Sequence, residues 1–361
     1  MGFTIDAATL QRCVRYARGA TARKSTMPAL GTVKVTEGPG VVTFAGTDLD
    51  IYATATGPAS GMETPGTWHI NADALLNVAS ALSGPVRIDH AASVATLVAG
   101  RSKFKLSTPM DLFDVLDSPA MGTVSALSPE ESAAMLAAIQ AVRYASSVDE
   151  TRYVLNGVFF GNGDAVATDG HRMAFAPGVA ALAKTIVIPN RACDVLRGMG
   201  DGVVVSVKMT GDAATGLYAK TEHDGVEFVT HAKLIEGRFP DYKQVIPKDA
   251  GTVVSVDRKG LTACIKRVGV LGGKDHSVVF EAGADGVTVT SRSADSGDAT
   301  DSVEAKVTGV DVRCGFNGSY MLEALGAASG DVVELCVADA QAPVVVRAGG
   351  VLTGIVMPMR I

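Results

Sequence analysis

The residue types able to hold a metal or attack a substrate are few and scattered in this 361-residue chain. Six histidines (His69, His90, His171, His223, His231, His276) stand singly. Five cysteines (Cys13, Cys193, Cys264, Cys314, Cys336) form no C-x-x-C and no Cys/His pair at metal-ligand spacing, whereas a zinc site draws on ligands ~2–4 residues apart. Asp169-x-His171 is the one pairing that suggests nucleophilic catalysis, yet no serine sits in the G-x-S-x-G turn that would present it. A P-loop, a G-x-G-x-x-G following a strand and an H-E-x-x-H are all missing. Gly198-Met199-Gly200-Asp201-Gly202 reads as the end of a helix and a turn. The expectation is a protein without catalytic centre, cofactor or metal.

Composition narrows the class further. The chain is 47% hydrophobic but only 5% aromatic, so its core should be built of Ala, Val, Leu and Ile, and wholesale disorder is excluded. With 32 Lys+Arg against 38 Asp+Glu the formal charge is −6, and a polyanionic partner must be met by a local patch. An odd number of cysteines without a framework pattern points to a reducing, cytoplasmic setting. No apolar run nears the ~20 residues of a membrane span. The start, MGFTIDAATLQRC, lacks the basic-then-apolar order of a secretory signal.

The elements that must position any site repeat along the chain. Leu10, Cys13, Val14 and Ala17 fall at i, i+3, i+4 and i+7, the apolar stripe of an amphipathic helix. The spacing recurs at Met135, Ala138, Ile139 and Val142, and again at Leu261, Cys264, Ile265 and Val268, offsets of 125 and 251. A second helix repeats in step, each copy opening with an expected Asn N-cap at Asn71, Asn190 and Asn317. Alternating strands and hairpin turns follow each one. Thr47-Asp48 and Thr168-Asp169 form a further repeated pair, 121 residues apart. Three α+β units of helix, strands, helix, strands are therefore expected, at residues 1–123, 124–249 and 250–361.

Three segments add a resemblance. At 167–175 (ATDGHRMAF), 236–247 (EGRFPDYKQVIP) and 356–361 (VMPMRI) the sequence resembles the bacterial DNA polymerase III β-subunit family, the sliding clamps. GRSKFKLST, RYVLNGVFF and FNGSYMLEAL occur in the expected order, so the resemblance spans the chain. It implies three similar clamp-type domains, two helices against antiparallel sheets in each, arranged as a crescent. Two crescents would close head to tail into a six-domain homodimeric ring around duplex DNA. The implied role is that of a processivity factor. It tethers the replicative polymerase, the clamp loader and other proteins that carry a short hydrophobic motif.

The resemblance also implies sites. Sequence-independent DNA contact is expected from Arg12, Arg15, Lys24, Arg143, Arg191, Arg197, Lys259 and Lys266. Of these, Arg12, Arg15, Lys259 and Lys266 lie opposite the apolar stripes of their helices. A partner-peptide groove is expected from Leu155, Thr168, Gly170, His171, Arg172, Met173, Pro240, Val245, Ile355, Met357, Pro358, Met359 and Arg360. Apolar side chains with flexible Met suit varied anchors. Phe104, Leu106, Val270 and Leu271 match ring-closing contacts. The alternative at this point is a clamp-fold accessory copy that binds partners or antagonists without serving as the replicative clamp.

Overall fold

The computed structural model describes residues 2–62, 64–109, 122–179, 182, 184–247, 251–271, 273, 276–293 and 297–360. Met121 and residues 248–250, at the two expected boundaries, and the terminal Ile361 lie outside the described residues. Among the described residues the six α-helices are α1 (Ala7–Ala20), α2 (Ala72–Ala81), α3 (Pro129–Val142), α4 (Asn190–Arg197), α5 (Arg258–Gly269) and α6 (Gly318–Ala327). All twelve positions of the repeated stripe on α1, α3 and α5 are buried, none more than 5% exposed. These helices are held by their apolar faces, as short helices in water must be.

Helix starts are set locally. Asp6, Asn71, Asp257 and Asn317 accept first-turn amides of α1, α2, α5 and α6. Ser128 and Glu131 form a reciprocal capping box on α3, with bonds of 3.2 and 2.7 Å. Asn190 departs from its expected role. Pro189 holds the cap position of α4 without a side-chain bond, and Asn190 is the first helical residue. Proline fixes φ at the helix entry but has no side chain to accept the first-turn amides.

The chain divides into two compact units, Met1–Leu136 with Ile188–Glu236, and Ala137–Val187 with Gly237–Ile361. Each unit contains one sheet that runs from one repeat into the next. In the first, Ile51–Pro58 pairs antiparallel with Val226–Lys233 inside an eight-stranded sheet, in register Ile51↔Ala232 to Thr56↔Glu227. In the second, Arg172–Pro177 pairs with Val351–Val356 inside a nine-stranded sheet, Arg172↔Val356, Met173↔Ile355 and Ala174↔Gly354. The same strand of each repeat thus joins the last long strand of the next. Gly46 lies so close beneath the Ala17 carbonyl that a Cβ would clash, which lets α1 settle on its sheet. All five cysteines are buried and none is in a disulfide.

Candidate functional site

Both joins carry a turn of one design. In Thr47–Ile51 and Thr168–Arg172 the threonine hydroxyl donates to the carbonyl four residues on, at 2.6 Å to Ile51 and 2.7 Å to Arg172. It also accepts the amide two residues on, from Leu49 at 2.9 Å and Gly170 at 3.1 Å. The aspartate Oδ1 accepts the next two amides, from Asp50 and Ile51 in one turn and His171 and Arg172 in the other. The third residue takes a positive φ, 80° at Leu49 and 88° at Gly170. A strand of the following repeat closes each turn: Lys233 N–H donates to Asp50 O at 2.8 Å, and Met357 N–H to His171 O at 2.9 Å.

One frame therefore carries two chemistries. At the first join Asp50 and Lys233 pair their charges at 3.0 Å. At the second, His171 and Met357 occupy those places. Leu155, Met173 and Ile355 are buried, while Thr168, Met357, Pro358 and Met359 are half-buried. Gly170, His171, Pro240, Val245 and Arg360 are exposed. After Val356 the chain leaves the nine-stranded sheet, and Pro358–Met359 pairs with Phe316 and Gly315 at the edge of a five-stranded one. The C-terminal segment is thereby tied down at both sheets.

Pro240 and Val245 arrive by a separate anchorage. Phe239 stacks on Phe159 at 4.8 Å, and Tyr242 leans on Phe159 and Phe175. The Tyr242 hydroxyl donates to Asp164 at 2.7 Å. Burial, together with the neighbouring Asp164 carboxylate, raises the Tyr242 pKa. Asp241 caps the short 3-10 turn Tyr242–Val245 and also accepts from Gln244 Nε2 at 3.1 Å.

Arg172 is the most engaged of the expected groove residues. Its Nε donates to Asp169 Oδ2 at 3.0 Å, it forms an ion pair with Glu323 of α6, and its guanidinium lies 4.3 Å from the Tyr320 ring centroid. Tyr144 flanks it at 5.7 Å, its phenol pushed up to about 12 by burial against the opposing pull of the Arg172 charge. Arg152 supports the turn from outside, Nη1 donating to Asp169 O at 2.7 Å. Sequence reading found Arg172 but not Tyr144, Tyr320, Glu323 or Arg152. Partners so far apart along the chain leave no local period to detect.

Arg15, Lys24, Arg197, Lys259 and Lys266 are exposed. Arg12 meets Asp224 at 2.6 Å, and Arg143 donates to Ser146 Oγ at 2.9 Å. Arg191 pairs with Asp48 and donates to the carbonyls of Gly19 and Thr21, tying α4 to the C-terminal end of α1. Lys259 lies 3.6 Å from Asp331. Phe104 and Leu106 are half-buried on Ser102–Ser107, the edge strand of a four-stranded sheet. Val270 follows α5 at 80% exposure, with Leu271 half-buried beside it. Among the described residues no group of three potential ligands assembles for a metal, and no helix is long and apolar enough to cross a membrane.

Comparison with known proteins gives this architecture its class. Residues 1–117 match the DNA polymerase III beta subunit N-terminal domain, residues 131–241 its central domain and residues 243–360 its C-terminal domain. A beta sliding clamp of Caulobacter vibrioides is 28% identical over 371 residues, covering 96% of this chain and 95% of the relative. That of Escherichia coli K12 is 26% identical, with full coverage of both chains. Among solved structures, a Bartonella birtlesii sliding clamp bound to griselimycin superposes with TM-score 0.85 at 25% identity, over 100% of both chains. The chain belongs to the bacterial DNA polymerase III β-subunit family, the sliding clamps.

Proposed function

We propose that two copies of this chain close head to tail into a ring around duplex DNA, and that the ring keeps a replicative DNA polymerase on its template. Membership of the family along the whole chain favours this processivity role over that of an accessory copy. The observation that carries the ring is the use of sheet edges. At both joins the third strand after the first helix of one repeat pairs with the last long strand of the next. By that rule Gly297–Val303, the edge of the five-stranded sheet, seeks a last strand, and Ser102–Ser107 is the last strand of the first repeat. Two edges of complementary design on one chain make a heterologous contact, which closes when the rotation permits.

The same equivalence extends to side chains. Val270 holds in α5 the place that Gly19 holds in α1, and a Cβ on Gly19 would meet Val195 of α4 at 3.5 Å. Leu76 is the counterpart of Val195 in α2. Val270 therefore packs on Leu76 of the partner subunit, beside Phe104 and Leu106, with Leu271 behind it.

In this reading Arg15, Lys24, Arg197, Lys259 and Lys266 meet the phosphates, with Arg12, Arg143 and Arg191 held by their protein partners close by. Contacts to phosphate alone permit sliding, because they carry no sequence information. The turn Thr168–Arg172, the segment Pro240–Val245 and the tail from Ile355 to Arg360 receive an extended apolar peptide from the polymerase, the loader or other partners. Residues 1–123, 124–249 and 250–361 are the three clamp domains. The protein works in the cytoplasm without catalysis, cofactor or metal. The test is retention: a ring loaded on a nicked circle stays bound through a high-salt wash and is lost once the circle is cut. Equal loss from circle and linear duplex would refute encirclement.

A further inference from the structure

Between α1 and α4 lies a cavity of about 460 Å³ that none of the roles above uses as a cavity. Five guanidinium groups line it, those of Arg12, Arg15, Arg18, Arg23 and Arg191. Three are fixed from the side by carboxylates: Arg12 by Asp224, Arg18 by Asp73 at 2.8 Å, and Arg191 by Asp48. Arg15 and Arg23 are exposed. Arg12 Nε is shielded from solvent without an acceptor, a donor that stays costly until an oxygen reaches it. Asp194 and His223 also line it, a carboxylate and an imidazole among the guanidiniums, and the floor is different in kind. Tyr16, Met199 and Phe228 are buried and contribute apolar surface. Tyr16 is held by a hydroxyl bond to Thr230 and by edge-on packing against Phe228 at 4.9 Å.

We propose that this cavity binds a nucleoside di- or triphosphate. An anion-only site would not need an aromatic and thioether floor, and an apolar ligand would not need guanidiniums. The combination suits a molecule with a charged chain at one end and a planar, weakly polar body at the other. The volume lies in the range of small-molecule sites, roughly 300–1,000 Å³. A bare phosphate would leave most of it unfilled. Arginine forks match phosphate oxygens in pairs, and carboxylate side-partners hold those forks in place before the ligand arrives. A duplex phosphate is fixed on the outside of a wide rod and contacts the rim of such a cavity, so the proposal does not depend on the ring.

The experiment measures binding by calorimetry to the DNA-free full chain, using ATP, pyrophosphate and adenosine as probes. Saturable one-to-one binding of ATP is expected, about tenfold or more tighter than either pyrophosphate or adenosine. The double change Arg15→Ala and Arg23→Ala, at exposed positions that leave the fold intact, should weaken ATP binding by about tenfold or more, the loss of two charge-assisted contacts. Phe228→Leu, which keeps the floor apolar while removing the ring, should weaken ATP but not pyrophosphate. Arg292→Ala, in the other compact unit, should change nothing. Equal affinity for ATP and pyrophosphate, absence of saturable ATP binding, or ATP binding indifferent to the double change would each overturn the proposal.

Discussion

Replacing Arg172 with alanine separates two roles that sequence alone assigns to it equally, touching the partner peptide or holding the turn that does. The Arg172 side chain is only 12% exposed and its Asp169 partner 14%. The charge-assisted bond between them contributes about 1.5–3 kcal/mol. The cation–π contact with Tyr320 adds roughly 1 kcal/mol, and the pair with the half-exposed Glu323 at most about 1 kcal/mol. Such terms are not additive, and in the variant Asp169 still accepts the His171 amide and the amide of residue 172. A destabilisation of about 3 kcal/mol, confined to the turn, is the expected sum. It corresponds to roughly a hundredfold greater opening. Hydrogen exchange at the His171 amide reads it directly and should accelerate by that factor in Arg172→Ala, with a smaller change in Glu323→Gln. Peptide affinity should fall only in proportion to the open fraction. Lost affinity with unchanged exchange would falsify the clasp and place Arg172 on the peptide itself.

Other consequences can be checked one by one. Val270→Asp should convert a dimer of twice 37.0 kDa into a 37.0 kDa monomer by light scattering, and an unchanged mass would count against the ring interface drawn here. Asp224→Asn releases Arg12 from its 2.6 Å pair and should raise duplex affinity while steepening the log–log salt slope by up to about 0.9; a flat response would remove Arg12 from the DNA surface. Leu49→Gly relieves a non-glycine residue at φ 80° and should stabilise the first unit by up to about 1 kcal/mol, a gain that thermal melting would reveal or exclude. Burial pushes the thiols of Cys13 and Cys314 from 9.0 up to about 12. Because the unfolded chain ionises first, their contribution is complete below pH about 9 and is lost as pH rises towards 12, at up to about 1.4 kcal/mol per pH unit for each thiol. Replacing both with alanine should flatten that alkaline decline, and a decline that persists unchanged must come from other groups.

Local order was written in the sequence. The three apolar stripes, the capping Asn71 and Asn317 and the Thr-Asp turns at residues 47 and 168 all appear as repeated short-range patterns, and each occupies its expected place. Such features depend on neighbours within about one helical turn or one hairpin, so their residues must recur at fixed spacing. The missed cap at Asn190 is a shift of one residue, the cap position falling on Pro189. What tertiary structure alone decided was pairing at a distance. Arg172 needs Tyr320 and Glu323, some 150 residues later, to become a clasp, and Arg191 meets Asp48 and the end of α1. The charge of Arg12 is likewise answered by Asp224, from a hairpin that no periodicity connects to it. A charged side chain in the sequence carries its sign but not its partner. Burial and the approach of another chain segment determine whether that charge meets solvent, a ligand or a neighbouring carboxylate. The continuation of each sheet from one repeat into the next is decided in the same way. Backbone pairing is blind to sequence distance, and only the folded chain shows which edges are used and which remain open.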